Sequence, residues 1–261
     1  MKISFIGMGN MAQALCSGFL KSGMLSPEET YAYAPNQEKL GKNAQRIGFI
    51  PVSSPEEAVR RADTVIMACK PYQIMDVLEK IGEVLKGRAL VSVCAGWDFE
   101  RYAAVLDPSV RFQFVMPNTP AMVREGVLLF EEKNTLTAEE REFMLQLFGA
   151  VGMVCVLPSR LMGIGGAVTG CGPAFVDLMM EAYGDAAVKY GIPRALAYQL
   201  TAQMILGSAK LQLETGLHPG VLKDQVCSPA GTTIQGCASL EKNGFRNACI
   251  ESVDAVMNKK I

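Results

Sequence analysis

The sequence predicts an α/β fold: a doubly wound, mostly parallel sheet in residues 1–157, followed by an all-α dimerisation domain in residues 158–261. Three observations carry this. β-rich runs alternate with helical periodicity through the first part, the pattern of βαβ units. A glycine-rich turn follows the first strand directly. No strand pattern occurs after Pro158.

Taken in order, residues 3–6 form a strand and 11–22 a helix that stops at Gly23. A strand over 30–34 leads to a helix over 37–47, ended by Gly48. Ser54 caps a short helix with Pro55 in its first turn. Residues 64–68 are apolar throughout, as expected of a strand covered on both faces. Helix 72–85, strand 89–93, helix 99–106 and strand 110–115 follow. Strands at 127–130 and 153–157 flank a helix opened by the capping box Thr137-Ala138-Glu139-Glu140. Beyond Pro158, helices are expected over 161–168, 173–190, 193–215, 233–242 and 245–259, punctuated by Gly191, Gly216 and Gly244. The stretch 195–215 is apolar on most sides and must be buried on most sides. The remainder of its domain is too small for that, which calls for a second copy of the chain.

Composition narrows the functions. The chain has 261 residues, 49% hydrophobic and 20% charged, with net charge −1. No basic field points to nucleic acid or to an anionic membrane. The single histidine, His218, excludes zinc sites built on paired histidines, and no metal is expected. Eight cysteines without a CxxC, and no signal-peptide pattern, predict reduced core thiols in a cytoplasmic protein. The most apolar stretch, 143–157, is too short to span a bilayer.

The turn Gly7-Met8-Gly9-Asn10-Met11-Ala12 reads GxGxxA between strand and helix. The first glycine permits the tight turn, the second lets backbone approach a pyrophosphate, and Ala12 allows close helix–sheet packing. The helix start supplies N–H donors and positive dipole. This is a Rossmann-type dinucleotide site. After the second strand, Ala34-Pro35-Asn36-Gln37 holds no carboxylate to bind a ribose diol or repel a 2′-phosphate, and Asn36 and Gln37 are possible donors. NADPH is therefore expected over NADH.

Other residues are candidates for chemistry. Ser92-Val93-Cys94-Ala95-Gly96 resembles a nucleophile elbow faintly, but lacks the leading glycine and reads as a strand end beside the cofactor. Lys70-Pro71 reads as structural, and Lys223-Asp224 near His218 as a solvated ion pair. Ser228-Pro229-Ala230-Gly231-Thr232-Thr233 precedes a helix, where first-turn N–H groups and hydroxyls can hold an anion without a cation. Ordinary N-capping by Ser228 or Thr232 explains the same residues equally well. Thr169-Gly170-Cys171-Gly172-Pro173 reads as close backbone packing or a substrate wall.

Several of these stretches together resemble the pyrroline-5-carboxylate reductase family. The matching pieces are Gly7 to Ala12, Cys69-Lys70-Pro71, Cys94-Ala95-Gly96, Met116-Pro117-Asn118-Thr119-Pro120 and Gly126. They continue with Thr169 to Phe175, His218-Pro219, and Leu222-Lys223-Asp224 through Ser228-Pro229, Gly231 and Thr233. The match spans nearly the whole chain in register. Cys171 replaces a usual serine, Pro35-Asn36-Gln37 lacks an arginine frequent after the second strand, and Ser54-Pro55 stands near a usual asparagine.

The resemblance implies reduction of the cyclic imine 1-pyrroline-5-carboxylate to L-proline, with a small-molecule substrate and a homodimer open to further assembly. It assigns the cofactor to Gly7, Met8, Gly9, Asn10, Met11, Ala34, Asn36, Cys69, Lys70, Pro71 and Ala95. It assigns the substrate to Asn118, Ser228, Gly231, Thr232 and Thr233, with the Thr233 hydroxyl at the ring nitrogen as the catalytic contact. Two other classes are open: another imine or β-hydroxyacid dehydrogenase of the same build, and a non-catalytic dinucleotide sensor. The β-hydroxyacid type needs a catalytic lysine, for which Lys189 and Lys210 are available without the expected GxxxNK setting.

Overall fold

The computed structural model describes residues 1–259. Its packing divides the chain into two compact units, Met1–Gly170 and a second that begins at Cys171. The compositional change falls at Pro158, whereas the packing change falls one helix later.

The first unit is built on eight strands in the order β3-β2-β1-β4-β5-β6-β7-β8. These are β1 Ile3–Ile6, β2 Thr30–Tyr33, β3 Ile50–Pro51, β4 Thr64–Met67, β5 Ala89–Ser92, β6 Arg111–Met116, β7 Gly126–Asn134 and β8 Gly152–Leu157. Strands β1 to β6 run parallel, β7 lies antiparallel to β6, and β8 is parallel to β7. β1 and β4 are fully buried, as strands covered on both faces must be. Chain order reverses between β1 and β4, the switch point at which doubly wound sheets open a crevice.

Helices α1 Asn10–Lys21, α2 Gln37–Ile47, α3 Pro55–Arg61, α4 Ile74–Leu85, α5 Phe99–Ala103 and α6 Ala138–Gly149 connect the strands. Their starts follow the expected chemistry. Ser54 Oγ accepts from Glu57 N–H, and Thr137 and Glu140 form a reciprocal capping box. Glu140 also pairs with Arg111 of β6, whose Nε lies 2.8 Å from Oε2 and whose guanidinium terminus lies 2.6 Å from Oε1. This ties α6 to the sheet. Helix α7, Ser159–Gly170, completes the unit: a Cβ on Gly165 would meet Leu157 and Leu129, and one on Gly166 would strike Met116 Sδ at 2.2 Å.

The second unit is helical: α8 Gly172–Lys189, α9 Arg194–Thr215, α10 Pro219–Val226, α11 Thr232–Lys242 and α12 Phe245–Met257. The helix α10 was not expected from the sequence. Only Ala197 and Thr201 of α9 are buried, while Leu200, Met204, Leu206, Leu211 and Leu213 stand exposed. The apolar helix is thus uncovered in a single chain. Helices α7 and α8, taken together as the stretch Ser159–Lys189, are long and apolar enough, by composition, to cross a membrane. The more apolar stretch over 143–157 is shorter and falls on the end of α6 and on β8.

All eight cysteines are free thiols, but they are not all core. Cys16 and Cys94 are buried, and burial pushes the Cys16 thiol up to about 12. Cys249 is exposed and the rest are half-buried.

Candidate active site

The eleven residues assigned to a cofactor all line one cavity of about 710 Å3 at the C-terminal ends of β1, β2, β4 and β5. Gly7 holds φ +97°, and its N–H donates to Tyr33 O at 2.8 Å. A Cβ there would lie 2.5 Å from Ala68 O. The turn is therefore closed by backbone from both flanking strands. At Gly9 the situation is opposite: a Cβ would meet nothing within 4 Å. Gly9 is also the N-cap of α1, with no side-chain cap bond and no acidic residue in the first turn. The first-turn N–H groups of α1 consequently face open space with their partial positive charge unanswered. A pyrophosphate fits this opening. Gln13 braces the loop, donating to Met8 O at 3.0 Å and accepting from Arg46 at 2.6 Å.

At the end of β2 the geometry redistributes the expected roles. Asn36 Oδ1 accepts from Lys39 N–H at 2.8 Å and caps α2. Gln37 Nε2 donates to Ala34 O at 2.9 Å and does not line the cavity. Gln37 is thus no donor to a 2′-phosphate, because backbone carbonyls engage its amide. Lys39, exposed in the first turn of α2, lines the cavity beside Asn36 and supplies a cation there. Sequence reasoning missed it; its place three residues past the capping Asn36 was the available signal. Asn43, Gln73 and Thr119 also line the cavity unannounced.

Other candidates of this unit also make scaffold contacts. Lys70 N–H donates to Gln73 Oε1 at 3.1 Å. Cys94 Sγ donates to Met67 O at 3.3 Å and Cys69 O at 3.2 Å, and its bonding to Cys69 together with burial holds the thiol far up. It is a packed thiol and no nucleophile. Asn118 is 6% exposed. Its Nδ2 donates to Thr169 O at 2.9 Å and its Oδ1 accepts from Val127 N–H at 2.8 Å. Asn118 therefore braces the end of α7 and the start of β7.

In the second unit, Ser228 to Gly231 join α10 to α11. Gly231 is the N-cap of α11 and its N–H donates to Ser228 O at 3.0 Å. No side chain caps α11, so capping by Ser228 or Thr232 is not what these hydroxyls do. Ser228, Thr232 and Thr233 are exposed beside the free first-turn N–H groups. A Cβ on Gly231 would lie 2.4 Å from Ser228 Oγ, so only glycine leaves room for that hydroxyl. Ala230 adopts φ 58°, an uncommon conformation for a residue with a Cβ. Together these atoms can receive a carboxylate.

The other polar candidates are occupied. His218 caps α10, its Nδ1 accepting from Gly220 N–H at 3.0 Å, and Lys223 pairs with Asp224 at the surface. Lys189 lies over the Tyr190 ring and Lys210 pairs with Glu214. A Cβ on Gly170 or Gly172 would meet nothing within 4 Å, so close packing at these glycines is not made within this chain.

A family model described as pyrroline-5-carboxylate reductase dimerisation matches residues 159–261. One described as NADP oxidoreductase, coenzyme F420-dependent, matches residues 2–96. The pyrroline-5-carboxylate reductase of Treponema pallidum is 38% identical over 262 residues, 99% of each chain. That of Escherichia coli is 39% identical over 259 residues, 99% of this chain and 96% of that protein. Among solved structures, a Plasmodium falciparum pyrroline carboxylate reductase with NADP bound superposes with a TM-score of 0.90. It is 30% identical and covers 98% of this chain and 95% of that one.

Proposed function

The chain belongs to the pyrroline-5-carboxylate reductase family, and from this membership and the two sites we infer that it reduces the C=N bond of 1-pyrroline-5-carboxylate to give L-proline, the last step of proline biosynthesis. The observation that carries this reading is the uncapped start of α11 flanked by Ser228, Thr232 and Thr233. It offers an anion site with no lysine or arginine, suited to a small amino-acid carboxylate.

NADPH, when bound, supplies the hydride that the imine carbon receives. The opening at Gly9 and the free N–H groups of α1 fit its pyrophosphate, and Lys39 with Asn36 fits its 2′-phosphate. The Ser228 hydroxyl and the N–H groups of Thr232 and Thr233 hold the substrate carboxylate. The Thr233 hydroxyl then reaches the ring nitrogen, whose charge and basicity change as the C=N bond is reduced. A hydrogen bond that strengthens during that change lowers the barrier. No histidine is required: an imine protonated in solution or through water accepts hydride readily. These residues act by positioning and electrostatics.

The family model over residues 159–261 describes a dimerisation domain. A second copy covers the exposed face of α8 and α9, which supports protein rather than lipid against the stretch Ser159–Lys189. Dimers assemble further only through surfaces outside this one, and the enzyme works in the cytoplasm, where its cofactor and reduced thiols are maintained.

The test is oxidation of NADPH by the purified protein with and without 1-pyrroline-5-carboxylate, with L-proline measured as product. Oxidation that needs the imine and yields proline is expected. NADPH binding with no imine-dependent turnover would make the protein a sensor instead.

A further inference from the structure

The segment assigned to substrate carries two thiols that the reaction does not use. Cys227 ends α10, and Cys237 lies on α11 one turn beyond Thr233. Their sulfurs are 3.9 Å apart, and both residues are half-buried. The chain between them contains Ser228, the left-handed Ala230 and the tightly fitted Gly231.

We propose that Cys227 and Cys237 form a reversible modification site, oxidised to a disulfide by low-molecular-weight disulfides, whose closure disables the anion cradle at Ser228–Thr233. The coupling to catalysis rests on the substrate reading above. Cytoplasmic disulfides, where they occur, are mostly transient and regulatory.

The chemistry balances. One cysteine thiolate attacks a sulfur of the small disulfide, forming a mixed disulfide and releasing one small thiolate. The other cysteine thiolate attacks the protein sulfur of that mixed disulfide, and the second small thiolate leaves. Two cysteines lose two electrons, one small disulfide gains them, and the two cysteine protons end on the two small thiols. A reduced dithiol reverses both steps.

A disulfide bond is about 2.05 Å long, so the sulfurs must approach by roughly 2 Å. Helix α11 is a hydrogen-bonded unit, whereas the Ser228–Gly231 connection is short and irregular, so the connection yields. Within it, Gly231 N–H is bonded to Ser228 O at 3.0 Å, so Ser228 is carried along when the connection shifts. The Ser228 hydroxyl therefore moves relative to the first-turn N–H groups of α11. Misplacing a positioning group by about 1 Å costs on the order of a hundredfold.

The experiment treats the full-length protein with an oxidised small thiol under mildly alkaline conditions, because burial and the Cys237 thiol push the Cys227 thiol up. Peptide mass mapping reads the link, and imine and NADPH kinetics are measured before, after, and after reduction by a dithiol. We expect a Cys227–Cys237 link, a loss of tenfold or more in kcat/KM for the imine, unchanged NADPH affinity, and full recovery on reduction. The double variant Cys227→Ser, Cys237→Ser should keep its activity through the treatment. Absence of the link, a link with unchanged imine kinetics, or equal loss in the double variant overturns the proposal. Reduced Ser228→Ala is assayed in parallel: an unchanged imine KM there defeats the substrate reading, and with it the coupling, while the mass map still decides whether the thiols pair.

Discussion

The Cβ that Gly7 lacks would lie 2.5 Å from the carbonyl oxygen of Ala68, across the switch between β1 and β4. Gly7 also holds φ +97°, so alanine there meets strain and collision at once. Gly7→Ala should cost about 2–4 kcal/mol, read by calorimetry as a Tm lower by roughly 5–15 °C. Gly9→Ala has open space for its methyl group. It should leave Tm nearly unchanged and weaken NADPH binding about 10- to 100-fold, by filling the phosphate position. Similar Tm losses in both variants would contradict this division of labour.

Lys39 is expected to set cofactor preference. A charge-directed contact contributes about 1.5–3 kcal/mol, so Lys39→Ala should lower kcat/KM for NADPH about 10- to 100-fold and for NADH less than about threefold. Lys39→Glu should favour NADH. Parallel steady-state kinetics with both cofactors decide it, and equal losses with each would remove Lys39 from the 2′-phosphate site.

Thr233 and Ser228 should separate in kinetics. Thr233→Val keeps shape and removes the donor, so kcat should fall roughly 10- to 1000-fold. Ser228→Ala should mainly raise KM for the imine, since its carboxylate contact is alike in ground and transition states. NADPH titrations should be unaffected by either substitution. Wild-type kcat in Thr233→Val would move the catalytic contact elsewhere.

Arg111 holds the Glu140 carboxyl below the usual carboxylate range, with Thr137 adding to the effect. A carboxyl group depressed in the folded state contributes its stabilisation fully above its unfolded value. The contribution fades as pH falls through that value and below. Glu140→Gln should therefore cost about 1–2 kcal/mol at neutral pH for this two-pronged, mostly buried pair. The gap from wild type should shrink through the acid range. Urea unfolding at several pH values checks this; a gap independent of pH would mean the capping amide, not the ion pair, carries the effect.

Light scattering should give a mass twice the 28.2 kDa of one chain at micromolar concentration. Leu200→Glu places a charge on the exposed apolar face of α9. It should shift the protein toward monomer with its helical circular dichroism retained, because the side chain packs against nothing in its own chain's core. A monomeric wild type would mean that the second unit is self-sufficient.

Strands β1, β4 and β5 could be read from sequence because both faces of each are buried and their residues are mostly apolar. Strand β3 could not. It has two residues, and Pro51, which lacks an N–H, is tolerated there because β3 is the sheet edge. Helix α10 escaped although His218 before Pro219 marks its start, since only eight residues follow. The reversal of β7 left no local trace, because strand direction is fixed by crossover geometry and not by side-chain pattern. At the site, glycine spacing exposed the phosphate turn. The placement of Lys39, the turned-away Gln37 and the bracing of Asn118 depended on contacts distant in sequence or on a cap geometry that residue types alone leave open.

The single antiparallel pairing of β6 with β7 also fixes where the first unit lets go of its chain. With one reversal, β8 finishes at the edge of the sheet remote from the glycine turn, and the twelve residues of α7 span roughly 18 Å, about the height of a strand. The helix thus travels back along β6, past Met116 at Gly166, until Thr169 is pinned by Asn118 just beyond the end of that strand. An even number of reversals would have sent the same helix the other way. The parity of strand direction, rather than any residue of the cleft, therefore delivers the outgoing chain to the same rim as the phosphate turn.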